Sequence, residues 1–111
     1  MGIKMLEENK TLTALIDGDI DHHTAAGIRE AIDAFAEKSP SRLLKMDFGG
    51  VQFMDSSGIG LIMGRYKYMK AQSGELRVVN VPKRLERMIK LSGLEKLGIF
   101  ESSENSKRRQ F

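Results

Sequence analysis

The chain has 111 residues, with 41% hydrophobic and 30% charged side chains, which is the size and balance of one globular domain. It contains no cysteine, so disulfides and thiolate metal sites are excluded. Lysine and arginine number 18 against 15 acidic residues, but Lys107, Arg108 and Arg109 account for the whole excess, and a basic tail alone is a weak footprint for direct nucleic-acid binding.

No run reaches the roughly 18 apolar residues that a membrane-spanning helix needs. Met1 to Lys10 lacks the basic-then-apolar pattern of a signal peptide, so a cytoplasmic protein is expected, with no membrane partner. Ile3 and Met5 followed by Glu8-Asn9-Lys10 read as a strand and a turn, and Thr11 to Ile16 as a second strand with Leu12, Ala14 and Ile16 on one face. Asp17-Gly18-Asp19 is expected to end or bend that strand and to open a polar loop through Asp21, His22 and His23. A helix follows with Thr24 as its N-cap, and Ile28, Ala31, Ile32 and Phe35 recur at helical spacing on one face. Ser39-Pro40 closes it.

Leu43, Leu44, Met46 and Phe48 form a near-continuous apolar run that predicts a strand covered on both faces. Gly49-Gly50 is expected to relax the chain before Val51, Phe53 and Met54. A second helix starts at Ser56, with Ile59, Ile62, Met63, Tyr66 and Met69 on its inner face. Its glycines, Gly58, Gly60 and Gly64, weaken helix propensity and imply a close approach to a neighbour. Gln72-Ser73-Gly74 stops this helix, and Leu76, Val78 and Val79 make a further strand. Pro82 marks the start of a third helix, with Leu85, Met88, Ile89 and Leu91 inward and Gly93 just past its end. Leu97 to Phe100 reads as a last short strand. Residues 1–101 are thus predicted to form one domain, and the polar tail 102–111 to be frayed or disordered. The order β-β-α-β-α-β-α-β predicts an α/β domain, with a mixed, mainly parallel β-sheet packed with α-helices.

The chemistry concentrates in Phe53-Met54-Asp55-Ser56-Ser57-Gly58, where an apolar strand runs through an acid and two hydroxyls directly into a helix. Helix N-termini carry unpaired N–H groups and partial positive charge, so a phosphate on Ser56 is locally tolerated. It would add about −1.5 to −2 charges beside Asp55. On residue types alone, Ser56 as an N-cap hydroxyl and Asp55 as a loop acid is the simpler reading.

The run from Phe53 to Tyr66 (FMDSSGIGLIMGRY) resembles the signature of the anti-sigma-factor antagonists of the STAS domain family. Asp17 to Ala25 resembles their other hallmark segment, and its portion from Asp21 to Ala25 is most like the sporulation, sigma-F branch. Leu91-Ser92-Gly93-Leu94 is similar to a third landmark before the final strand. The resemblance implies a single STAS domain spanning about residues 3 to 101. It implies that the unphosphorylated chain binds an anti-sigma factor that is itself an ATP-dependent serine kinase, releasing the sigma factor. That kinase, in its ATP- or ADP-bound state, is the implied partner; Ser56 is the implied phosphorylation site, and a PP2C-type phosphatase reverses the modification. Asp21, Asp55, Ser56 and Ser57 would make up the partner-binding surface. No cofactor, metal or catalytic residue is implied, so the chain is expected not to be an enzyme. Sporulation-type members usually end in a further helix with apolar positions, which Ser102 to Phe111 hardly provide.

Other readings of the same residues have less support. His22 and His23 are adjacent, lack a His-x-x-x-His partner and make a poor metal set. A Ser-His-Asp hydrolase would need a Gly-x-Ser-x-Gly elbow, whereas Met54 and Gly58 flank Ser56. Gly58, Gly60 and Gly64 match neither a dinucleotide fingerprint nor a Walker loop. A STAS module acting as a scaffold, or in another partner-switching or transport-linked pathway, is the main alternative, because fold alone does not choose a function.

Overall fold

The computed structural model describes residues 2–101, and the predicted frayed tail at 102–111 lies outside the described residues. The chain opens with strands β1 (Gly2–Glu8) and β2 (Thr11–Ile20), followed by helix α1 (Ala25–Ala36). Strand β3 (Leu43–Met54), helix α2 (Ser56–Ala71), strand β4 (Glu75–Val79) and helix α3 (Lys83–Ser92) come next. A short 3-10 turn (Leu94–Leu97) leads into strand β5 (Phe100–Glu101). One five-stranded sheet results, ordered β1-β2-β3-β4-β5, with β1 antiparallel to β2 and all later pairs parallel. The predicted α/β class and mixed, mainly parallel sheet are therefore present.

Asn9 and Lys10 both take positive φ, at 54° and 62°, and join the paired residues Glu8 and Thr11. This is a two-residue hairpin turn whose twist suits the flanking strands. The parallel strands advance across the sheet in one direction, so right-handed crossovers place all three helices on the same face. Burial follows from that. Leu12, Ala14, Ile16, Leu44, Met46, Phe48, Leu76 and Val78 are buried beneath the helices, while Thr13, Leu15, Leu43 and Lys45 on the other face are only half-buried. The expectation that β3 is covered on both faces is corrected accordingly: among the described residues, helices pack on one face only.

Several boundaries also differ from the sequence reading. Asp17-Gly18-Asp19 does not end β2, because Gly18 adopts φ 87° and absorbs a local shift in register, and pairing resumes as far as Ile20. Gly49-Gly50 likewise lies within β3. Leu97 belongs to the 3-10 turn, which leaves only Phe100–Glu101 as the last strand. Among the described residues no helix is long and apolar enough to cross a membrane.

The helices bury narrower or rotated stripes than predicted. On α1 the stripe follows an i, i+4 path through Ile28, Ile32 and half-buried Ala36, so Phe35 is left exposed. On α2 the buried positions are Gly58, Leu61, Ile62, Arg65 and Met69, and Ile59, Met63 and Tyr66 flank them half-buried. The face is rotated because Arg65 turns inward, where its Nη1 donates to Asp33 Oδ1 of α1. Its guanidinium also lies 5.3 Å from the Tyr68 ring centre. On α3, Leu85 and Ile89 are buried while Leu91 points to solvent. Gly93, at φ 80°, terminates α3 as predicted.

Candidate functional site

The parallel strands β2 and β3 end side by side, and the Asp55 N–H donates to the Ile20 carbonyl at 3.1 Å, joining the two exits. Asp55 is extended and occupies the N-cap of α2, where Oδ1 accepts from the Ser57 N–H at 2.7 Å. Its carbonyl accepts from the Gly58 N–H at 2.9 Å. This corrects the simpler reading of the motif. The cap is the acid, and Ser56 is the first helical residue, exposed and not committed to capping. Ser57 is half-buried one position further on.

Gly58 shows why the third position of the helix lacks a side chain. A Cβ there would overlap Met54 Cγ and Sδ and lie 3.4 Å from Ile20 Cγ2. The expected close approach is real at this glycine, but Gly60 and Gly64 face open space. Met54 is almost fully buried, so the last core residue of β3 forms the seat on which the start of α2 rests.

The loop after β2 closes against the same end of the sheet. Asp21 Oδ1 accepts from the His23 N–H at 2.8 Å and from the Thr24 N–H at 3.1 Å, an Asx-type turn. These two bonds, that of His23 foremost, hold the Asp21 carboxyl below its ordinary value of 3.8, and the imidazoles of His23 and His22 act in the same direction. Thr24 stands at the N-cap of α1 but makes no side-chain cap bond. Its hydroxyl accepts instead from the Asp21 N–H at 2.9 Å and donates to the Asp19 carbonyl at 2.9 Å. Thr24 thus keeps the N-cap position without the predicted side-chain bond, and the Asp21 carboxylate instead closes the turn that leads into α1.

His22 Nδ1 lies 3.9 Å from Asp55 Oδ2, an ion pair whenever the imidazole is protonated, and the two histidine rings are 4.0 Å apart. Asp21, Asp55, Ser56 and Ser57 are therefore brought to one end of the sheet, with His22 between the two acids. Among the described residues no group of three or more His, Asp or Glu side chains is arranged to hold a metal ion.

Sequence reasoning missed two neighbours of this site. Phe53, read only as part of an apolar strand, is 53% exposed. Arg84 donates from Nε to the Gln52 carbonyl at 3.0 Å and from Nη2 to the Val51 carbonyl at 2.9 Å. These partners lie more than thirty residues apart in the chain, so no local pattern reveals them.

The one-sided, mainly parallel sheet is a fold shared with known proteins. The chain belongs to the STAS domain family, whose sequence profile matches residues 3–106. Within that family it groups with the anti-sigma factor antagonists. It is 32% identical over 105 residues to the anti-sigma F factor antagonist of Paenibacillus polymyxa, covering 94% of this chain and 90% of that one. It is 30% identical over 95 residues to the anti-sigma-B factor antagonist of Bacillus subtilis (strain 168), covering 86% and 85%. Its fold is similar to that of the anti-sigma factor antagonist SpoIIAA in its unphosphorylated form, with a TM-score of 0.79 at 24% identity over 97% of this chain and 95% of that one.

Proposed function

We propose that this chain is a phosphorylation-controlled anti-sigma factor antagonist of the cytoplasm. The unphosphorylated form binds an anti-sigma factor that is also a serine kinase and so frees the sigma factor. The kinase uses ATP to phosphorylate Ser56, which ends binding, and a PP2C-type phosphatase restores it. The observation that carries this reading is that Asp55, not Ser56, caps α2, which leaves an exposed hydroxyl at the helix start free to accept a phosphate. The names of the relatives support the same role. Asp21, Asp55 and Ser57 form the rest of the docking surface. A phosphate set between Asp55 and the Asp21 loop adds about two negative charges and considerable bulk to that surface, while the helix N-terminus keeps it compatible with the fold.

Antagonists of both anti-sigma F and anti-sigma-B factors are relatives of this chain. The segment from Asp21 to Ala25 supports the sigma-F, sporulation assignment. The test incubates the full chain with the anti-sigma factor kinase of its own organism and ATP, and maps the phosphate by mass spectrometry. Labelling on Ser56, abolished in Ser56→Ala, is expected; labelling on Ser57 or elsewhere refutes the assignment. Calorimetric titration of the kinase with Ser56→Asp should show weaker binding than the wild type, and equal affinities would count against exclusion by a group added at this tightly fitting position.

A further inference from the structure

We infer that Phe53 is the apolar anchor of the docking surface around Ser56, presented by a β-bulge that Arg84 holds in place. The partner face that receives it is an apolar pocket on the anti-sigma factor, rimmed by lysine or arginine. The inference rests on the reading of this end of the sheet as the anti-sigma factor's docking site, and it names residues and partner chemistry that the reading does not supply.

Between the pairs Gly18 with Val51 and Asp19 with Phe53, β2 advances by one residue and β3 by two. Gln52 is the extra residue of a bulge. Side chains alternate along a strand, so with Val51 buried an unbroken β3 would turn Phe53 into the core and Met54 outward. The bulge reverses this: Met54 is buried beneath Gly58, and the aromatic ring stands on the surface. Bulges next to functional sites commonly re-aim a side chain in this way. The displaced carbonyls of Val51 and Gln52 are both taken by the Arg84 guanidinium, whose charge-assisted bonds fix the bulge against α3.

The surroundings specify the partner's chemistry. Asp19 pairs with Phe53 in the register and is exposed, and Asp21 and Asp55 lie on the neighbouring chain exits. An exposed aromatic opposite one carboxylate, with two more on the adjoining chain exits, has the setting of an interface hot spot with an acidic rim, and electrostatic complementarity calls for a basic rim on the partner. Leu91 is still more exposed, at 78%, but it lies at the other end of α3 from Arg84, away from these acids, and serves as a control.

The experiment measures the affinity of the full-length chain for its organism's ADP-loaded anti-sigma factor. The variants are Phe53→Ala, Phe53→Tyr, Leu91→Ala, Arg84→Met and the Phe53→Ala/Arg84→Met double variant, each checked by thermal melting. Phe53→Ala is expected to weaken binding about 20-fold or more, with Phe53→Tyr and Leu91→Ala within about threefold of wild type. Arg84→Met should weaken binding in the wild type and add little in the Phe53→Ala background, a coupling that a purely structural role would not produce. Wild-type binding with Phe53→Ala inside about threefold, or equal losses in Phe53→Ala and Leu91→Ala, would overturn the anchor and leave the proposed function standing. A self-associating wild type that Phe53→Ala dissolves, with unchanged affinity for the anti-sigma factor, would assign the ring to a second copy of the chain and overturn it too. Failure of the wild type itself to bind would overturn the proposed function and the anchor together.

Discussion

Asp55 performs two separable tasks, and a pair of substitutions tells them apart. Its Oδ1 accepts from the Ser57 N–H at 2.7 Å, and its Oδ2 lies 3.9 Å from His22 Nδ1. Asp55→Ala removes both interactions, whereas Asp55→Asn keeps an oxygen for the N–H and loses only the charge. Loss of the cap costs about 1 kcal/mol, and loss of a negative charge at the helix N-terminus about 0.5 kcal/mol more. The His22 pair adds little, because the imidazole is 72% exposed and the carboxylate 34%, and exposed pairs are worth between roughly 0 and 1 kcal/mol. The expected losses are therefore about 1.5 kcal/mol for Ala and about 0.5 kcal/mol for Asn. In a domain of this size these correspond to falls in Tm of roughly 6–12 °C and 2–4 °C.

Thermal and urea denaturation of the full chain measure both. Equal losses in the two variants would show that charge, not the cap, stabilises the start of α2, and no loss in either would mean that the helix is not capped in solution. Because both variants remove the charge, both should weaken binding to the anti-sigma factor even though the Asn variant destabilises the fold far less.

The Arg65–Asp33 pair should respond asymmetrically, because its members differ in exposure. Asp33→Ala leaves a guanidinium that is only 8% exposed without its carboxylate, at a cost of about 2–3 kcal/mol. Arg65→Met leaves a carboxylate whose side chain is 28% exposed and can hydrate, at about 1 kcal/mol or less; urea midpoints in the reverse order would refute the account. The glycines of α2 should also divide. Gly60→Ala and Gly64→Ala enter open space and should stabilise by up to about 1 kcal/mol each. Gly58→Ala meets the buried Met54 side chain and should destabilise by about 1 kcal/mol despite its better helix propensity. Finally, the Asx turn at Asp21 should be acid-sensitive. Its folded-state pKa is depressed, so its contribution is complete above the ordinary value of 3.8 and is lost as pH falls through the lower folded value. The amide resonances of His23 and Thr24 should report a midpoint below 3.8, and a midpoint at or above 3.8 would contradict the geometry.

Much of this protein is legible in its sequence because the relevant interactions are local. Alternation in Thr11 to Ile16, the Asn9-Lys10 turn, the Gly93 stop and the start of α2 after Asp55 each depend on a few consecutive residues whose backbone preferences and apolar spacing agree. The candidate site is legible for the same reason, since Asp55, Ser56, Ser57 and Gly58 are consecutive and a strand-to-helix junction fixes their roles within about one position. Even there, the sequence left open which residue caps the helix, and the extended backbone of Asp55 decides it.

What only the tertiary structure decided depends on partners distant in the chain. One-sided burial of β3 follows from three crossovers that advance in the same direction, which no single strand's composition reports. The inward turn of Arg65 requires Asp33 on another helix, and its burial rotates the whole face of α2. Nothing local in Val51 to Met54 announces a bulge, because the extra residue shows only in the register with β2 and its carbonyls are satisfied by an arginine from α3. The serine at the centre of the site is thus placed by its immediate neighbours, while the surface around it is set by contacts that only folding brings together.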